Sequence, residues 1–332
     1  MSFDWTTLQV PPMQIDRITR FSRGYPPHIA QLEESIRVHI FCRDVRQQIL
    51  PTWVSRKEPH TFEVVPASEE LLWKTTILFA EPYEFQRNGT VERGTDGAEV
   101  ISEFIRHVAG DLAIKGESFW EIAAAREDDD SENTVPALVW ISGEVQERRR
   151  SIRQSIATMK ESTSKEPHID LPKNKAMIVR LPGGLGTPGQ QLRRLGVLEQ
   201  ASTITPEFHD GVYGAERNDS GFQFTDFSSA QFRAMAKAMR SWGWMSTVQE
   251  NKYATEYYII ERQLRFHQAL AELRTQILEQ MNAMLKQLGL EAEIRMNGLL
   301  TADDISDLIT KVREGSISFN QAFEPIHSQL LN

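Results

Sequence analysis

The feature that most restricts the fold of this chain is a run free of proline and glycine between about Thr255 and Leu288. Within it Phe266, Leu270, Leu273, Ile277, Met281, Met284 and Leu288 recur at intervals of 4, 3, 4, 4, 3 and 4 residues, a continuous apolar stripe on a 3.6-residue helix. Leu264, Leu278 and Leu285 widen one flank of the stripe. Glu261 precedes Arg265 at the favourable i,i+4 spacing, and Gly289 stands where a left-handed residue ends a helix. About 34 residues at ~1.5 Å each make a rod of roughly 50 Å, longer than a small domain is wide. Such a helix either crosses a large body as an internal spine or packs against copies of itself.

At 332 residues the chain exceeds the usual size of one compact core, so two or three sub-structures are expected. Hydrophobic residues make up 40% and charged residues 25%, as in ordinary globular proteins, and the formal charge is −9. That balance disfavours a surface built to grip phosphates, although repulsive walls suit a protein that lets nucleic acid slide past. Cys42 is the only cysteine, which excludes an internal disulfide and a multi-cysteine metal site; within the apolar stretch 36–45 it reads as a small buried hydrophobe. The start, Met1-Ser2-Phe3-Asp4-Trp5, lacks the pattern of a signal peptide, and no run approaches ~18 apolar residues. A protein kept in a reducing cytoplasm, or in something assembled there, is the expectation, with no membrane contact.

The remaining pattern is mixed. An extended arm precedes a helix over 28–50; a strand at 61–65 leads to a helix capped by Ser68; Asp96 and Glu99 have capping-box spacing before a helix ending at Gly116. Residues 117–123 and 137–141 read as strands around the acidic tip 127–132, which lacks the glycine and spaced ligands of a calcium loop. Residues 144–162 read as a charged helix carrying Arg148-Arg149-Arg150 and Arg153; its arginines either contact phosphate or form a solvated face. A loop over 162–175, a strand at 176–181, a helix from 190 towards 205, a strand at 222–227 and a helix at 228–242 opened by Ser228 and Gln231 follow. After the long helix, Thr301 and Asp304 open a helix that Gly315 ends, and a last short helix spans about 320–330.

Catalytic patterns are absent. Gly184-Leu-Gly186-Thr-Pro-Gly189 has GxGxxG spacing between a strand and a helix, but Pro188 removes an amide that a pyrophosphate would need, and no strand ending in an acid lies about 20 residues on. The eight histidines have no ligand spacing, and no nucleophile elbow or lysine-bearing phosphate loop occurs. No catalytic residue, cofactor or metal site is therefore expected. Trp242-Gly-Trp244 with Tyr253, Tyr257 and Tyr258 forms an aromatic cluster beside the long helix, suited either to packing or to stacking on bases.

Leu112-Ala-Ile-Lys-Gly-Glu-Ser-Phe-Trp-Glu-Ile122 resembles the wing segment of tailed-phage portal proteins, and from about residue 95 the order of elements is similar too. A strand and glycine turn feed a helix (176–201), the turn Phe208-His-Asp-Gly211 follows, then a helix opening Ser228-Ser-Ala-Gln, the long helix from Ala254, and a helical tail. The resemblance implies a predominantly helical α+β fold with wing, stem, clip and crown. It places a wing-like region with an N-terminal arm at 1–183, stem helices with a short clip (about 214–227) at 184–242, a tunnel-loop neighbourhood and long helix at 243–290, and a crown-like tail at 291–332. It implies a structural, non-enzymatic ring, typically of 12 subunits in that family, at one capsid vertex of the virion. The partners would be copies of itself, capsid protein, the terminase motor, neck or adaptor proteins, and double-stranded DNA passing without sequence recognition. Phe266, Leu270, Leu273, Ile277 and Met281 would be subunit-packing positions, and Trp242, Trp244 and Lys252 would lie by the tunnel loop. The chain is shorter than that pattern, with little room for a clip. The alternatives are another head–tail connector or scaffold protein, or an enzyme holding a dinucleotide on the Gly184–Gly189 turn.

Overall fold

The computed structural model describes residues 14–16, 26–50, 62–66, 68–80, 97–126, 134–155, 168–202, 224–245 and 255–331. The fold is α+β and mostly helical. Its centre is α4 (Gly97–Lys115), whose Ile101, Phe104, Ile105, Val108, Ala109, Leu112 and Ala113 are all buried. Apolar residues on nearly every face mark a helix surrounded by protein. Around it pack α2 (Ile36–Gln48), α3 (Glu69–Phe79), α5 (Pro188–Ser202) and α7 (Glu256–Gln287), with strands β3 (Glu117–Arg126) and β8 (Ala176–Arg180) below. Gly116 at φ +78° makes the sharp turn from α4 into β3, and a Cβ there would lie 2.7 Å from Pro188 Cα.

β3 is the central strand of an antiparallel sheet. One edge pairs with β4 (Val135–Trp140); the other pairs with β8 at Glu117–Glu121 and with β1 (Gln14–Asp16) at Ala124–Arg126. A smaller sheet of β5 (Val145–Glu147), β6 (Ser151–Ser155) and β7 (His168–Pro172) packs Ile152 and Leu171 against Phe119 and Ala176 of the first. A third pairing joins β2 (Phe62–Val65) to β9 (Glu293–Met296), bringing together residues 234 apart in sequence, as in Phe62↔Met296.

Many sequence expectations hold. The long helix runs Glu256–Gln287, with Thr255 Oγ1 accepting from Tyr258 N and Gly289 at φ +71°. Ser68 caps α3, Thr301 and Asp304 form a reciprocal capping box on α8 (Ala302–Arg313), and Gly315 follows it. Cys42 is buried, and burial pushes its thiol pKa well above the ordinary value.

Others are corrected. The helix over 28–50 is two helices, α1 (Pro27–Glu34) and α2, because Ser35 is extended (φ −66°, ψ 124°). In place of the helix expected over 144–162, the described residues 145–155 form a β-hairpin: Val145 and Ile152 supply its inward face, and the ladder to β7 outweighs the helix propensity of its arginines and glutamates. The same ladder replaces part of the loop expected over 162–175. Where a strand was expected at 222–227, residues 224–227 are instead the start of α6 (Phe224–Ala238), so that helix opens four residues before Ser228. β9 has no counterpart among the sequence expectations. Lys252, Tyr253, Asp96, the turn 208–211, the acidic tip 127–132, the clip segment before residue 224 and the arm before Gln14 lie outside the described residues.

Candidate functional site

The apolar stripe of α7 is occupied by the chain's own core. Leu270, Leu273, Ile277 and Met281 are 0% exposed and Phe266 is 6% exposed, all within the main cluster with Phe41, Ile105, Leu112 and Val179. Each buried side chain of this kind contributes ~1.5–3 kcal/mol. Freeing all five to face another subunit would therefore forfeit roughly 8–15 kcal/mol, on the order of a whole domain's stability. In the folded chain these five positions are core residues, covered by the chain's own side chains. Periodicity reveals an apolar face without naming what covers it.

A second face of the same helix carries Ile260, Leu264 and Ala271, which pack with Ile305, Ile309 and Val312 of α8 and with Ala322 and Ile326 of α9 (Phe319–Leu331). At about 100° per residue this face lies roughly 120° around the helix from the first. Glu261 ties the junction, accepting from Arg265 at 3.0 Å and from Arg313 of α8. Burial alone would raise the Glu261 carboxyl; the hydrogen bonds and charges of the two arginines outweigh it and hold the pKa below the ordinary value.

Between α6 and α7 the turn Trp242-Gly243-Trp244 is locked to the body. Trp242 is 0% and Trp244 3% exposed, and both stand edge-on to Phe41, with centroids 5.1 and 5.3 Å away. Trp242 Nε1 donates to Gln191 Oε1 at 2.9 Å, and Gln191 Nε2 in turn donates to Ala113 O. Trp244 Nε1 donates to Asp44 Oδ2 at 2.9 Å. Arg262 reaches from α7 to donate to Met239 O and Trp244 O at 3.0 and 2.9 Å. Gly243 has φ +70°, and a Cβ there would come within 2.5 Å of Arg262 O and Phe266 N, so the turn lies directly on the α7 backbone. The two tryptophans are anchors in the core and present no ring to a passing strand, which removes the base-stacking alternative for them.

Three buried polar groups escaped the sequence reading. Arg274 donates to Ile49 O at the end of α2 and to Leu300 O before α8; burial pushes its pKa down to about 10. Asp44 waits inside α2 for a tryptophan 200 residues away, and no local pattern signals that. Asp111 is fully buried in α4, accepting from Ser118 Oγ at 2.8 Å and Trp140 Nε1 at 2.6 Å, with Lys115 Nζ at 3.1 Å. Burial would raise its pKa, yet Lys115, His107 and the two hydrogen bonds together hold it below the ordinary carboxylate value. An acid inside an apolar helix face with Lys at i+4 was the available signal.

The Gly184–Gly189 turn is closed to a phosphate. Thr187 and Gln190 cap the first turn of α5 reciprocally, with Thr187 N to Gln190 Oε1 at 2.9 Å, and the Leu185 and Gly186 amides donate to Pro182 O. The half-buried Glu272 carboxylate sits 3.1 Å from the position of a Cβ on Gly184, and burial raises its pKa. An anionic pyrophosphate at Gly184 would meet that carboxylate. Among the described residues no group of three or more His, Cys, Asp or Glu is placed to hold a metal, and no helix is long and apolar enough to cross a membrane.

No protein-family model and no curated protein sequence matches the chain. Solved structures similar to it include a chain of the neck of an empty gene transfer agent particle computed with C6 symmetry, at a TM-score of 0.45 and 10% identity over 88% of this chain and 90% of that one. A chain of the virion of a native gene transfer agent particle has a TM-score of 0.41 and 10% identity over the same shares.

Proposed function

We propose that the chain is a structural subunit of a phage-type portal ring, a channel for DNA at one capsid vertex, acting through shape and electrostatics without catalysis. The observation that carries this reading is the arrangement around α7. One helix holds the α+β body on one face and the terminal pair α8–α9 on another, and it is entered through an anchored turn from α6. The order helix, anchored turn, long helix, small helical tail is the order that the portal resemblance implies. In this reading residues 1–183 form the wing, 184–242 the stem with a short clip, 243–290 the tunnel-loop neighbourhood and long helix, and 291–332 the crown. Trp242, Trp244 and Lys252 belong to the tunnel-loop neighbourhood in this reading. The partners are other copies, capsid protein, a terminase motor, neck or adaptor proteins, and duplex DNA in the channel; the setting is the virion.

With the α7 stripe enclosed, contacts between copies fall to exposed, largely polar surface, and assembly should weaken as salt rises. Electron microscopy and sedimentation of the purified protein test the reading. Ring-shaped particles of ten or more copies are expected, and a strictly monomeric species across concentration and salt would overturn it.

A further inference from the structure

We infer that the β5–β6 turn is a contact for the phosphate backbone of duplex DNA. Arg148 N donates to Ser151 O at 2.8 Å, closing a turn in which Arg149 and Arg150 are the two central residues. All three arginines are exposed, and the side chains of Arg149 and Arg150 have no partner among the described residues. The stem beneath them is packed: Ile152 and Leu171 are 1% exposed, and Gln154 Nε2 donates to Ser142 O at 2.8 Å. The turn is thus a fixed projection.

Two of the three carboxylates nearby are already engaged, and the third, Glu144, is exposed. Glu147 accepts from both Lys173 and Arg180, and Asp170 receives a two-pronged pair from Arg153 at 2.8 and 2.7 Å. Over 144–155 and 168–180 seven lysines and arginines stand against three acids, in a chain whose formal charge is −9. Exposed Lys175 and Lys286 flank a contact in which Gln287 Nε2, at the end of α7, donates to Asn174 O. An acidic chain that concentrates uncompensated guanidinium groups at one tip has a directed attraction for a polyanion. Arginine's planar fork matches phosphate oxygens two at a time. Contacts confined to the backbone carry no base specificity.

The test uses full-length protein and a fluorescent 30-base-pair duplex of arbitrary sequence, titrated over a range of salt, with Arg148→Gln/Arg149→Gln/Arg150→Gln as the variant. Three phosphate contacts add about −2.7 to the slope of log K against log salt, and the variant should lose that part. At a fixed ~0.1 M salt its affinity should drop about 10- to 100-fold, and the corresponding triple lysine variant should recover part of the loss. Circular dichroism of the variants establishes that they fold. Unchanged affinity and slope in the glutamine variant overturns the inference, as does wild-type protein that captures polyglutamate but not the duplex. Sedimentation of the same samples reads ring formation separately, so rings without duplex binding, or binding without rings, tell the two proposals apart.

Discussion

Replacing Gly243 by alanine tests the seat of the tryptophan turn on the long helix, and Gly289 supplies its internal reference. Both residues have nearly the same left-handed backbone, φ +70° and +71°. A Cβ at Gly289 meets nothing within 4 Å, whereas at Gly243 it would lie 2.5 Å from two backbone atoms of α7, Arg262 O and Phe266 N. Gly289→Ala should therefore cost only the conformational penalty, ~1–2 kcal/mol. Gly243→Ala adds the displacement of a turn held by Trp242, Trp244 and Arg262, a further ~1–3 kcal/mol of overpacking. Urea unfolding followed by tryptophan fluorescence and by circular dichroism measures both, with expected losses of ~1–2 and ~2–5 kcal/mol. Equal losses in the two variants would refute the close approach of the turn to α7.

Asp111→Asn keeps the shape of the buried cluster but removes the charge opposite Lys115; a loss of ~3–5 kcal/mol is expected in the same assay. The Asp111 pKa is lower in the folded chain than in the unfolded one, so acidification protonates the unfolded state first. Its contribution is complete above the ordinary carboxylate range and lost as the pH falls through the lowered folded value; the variant should lose less stability than wild type below about pH 4. An acid limb identical in both proteins would exclude Asp111 as its source. Arg274→Met leaves Ile49 O and Leu300 O without their donor and should cost about 2–5 kcal/mol; a change under ~1 kcal/mol would mean that other groups replace it. Cys42, buried with its thiol pKa raised, should react with an aromatic disulfide reagent only as the chain unfolds, and rapid labelling of the native protein would contradict its burial.

Where local chemistry decides, the sequence was readable. The α7 stripe, the Ser68 and Thr301 caps and the glycines at 116, 289 and 315 all appear where spacing placed them. Where the partner lies far along the chain, it was not. Val145-Gln-Glu and Ser151-Ile-Arg-Gln-Ser have helix-compatible composition, and only the ladder to His168–Pro172 makes them strands. Glu293–Met296 alternates over too few residues to stand out, and its pairing is with Phe62–Val65. The candidate site suffered most, because an apolar period reports a buried face and leaves open whether the covering surface belongs to the same chain or another. Trp242 and Trp244 share Phe41 while Tyr257 stands by Phe319, and the hydrogen bonds of the two tryptophans to Gln191 and Asp44 depend on four helices meeting.

The β2–β9 ladder also sets a timetable for biosynthesis. Phe62 finds Met296 only after 234 further residues have been made, while Asp44 waits 200 residues for Trp244 and the Ile49 carbonyl 225 for Arg274. At ~5–20 residues per second the ribosome needs about 10–50 s for that stretch. Throughout it, the amino-terminal segment emerges with a strand edge and apolar side chains that have no lasting cover. Fragments that end before residue 296 leave that edge without its partner and should aggregate in place of staying soluble.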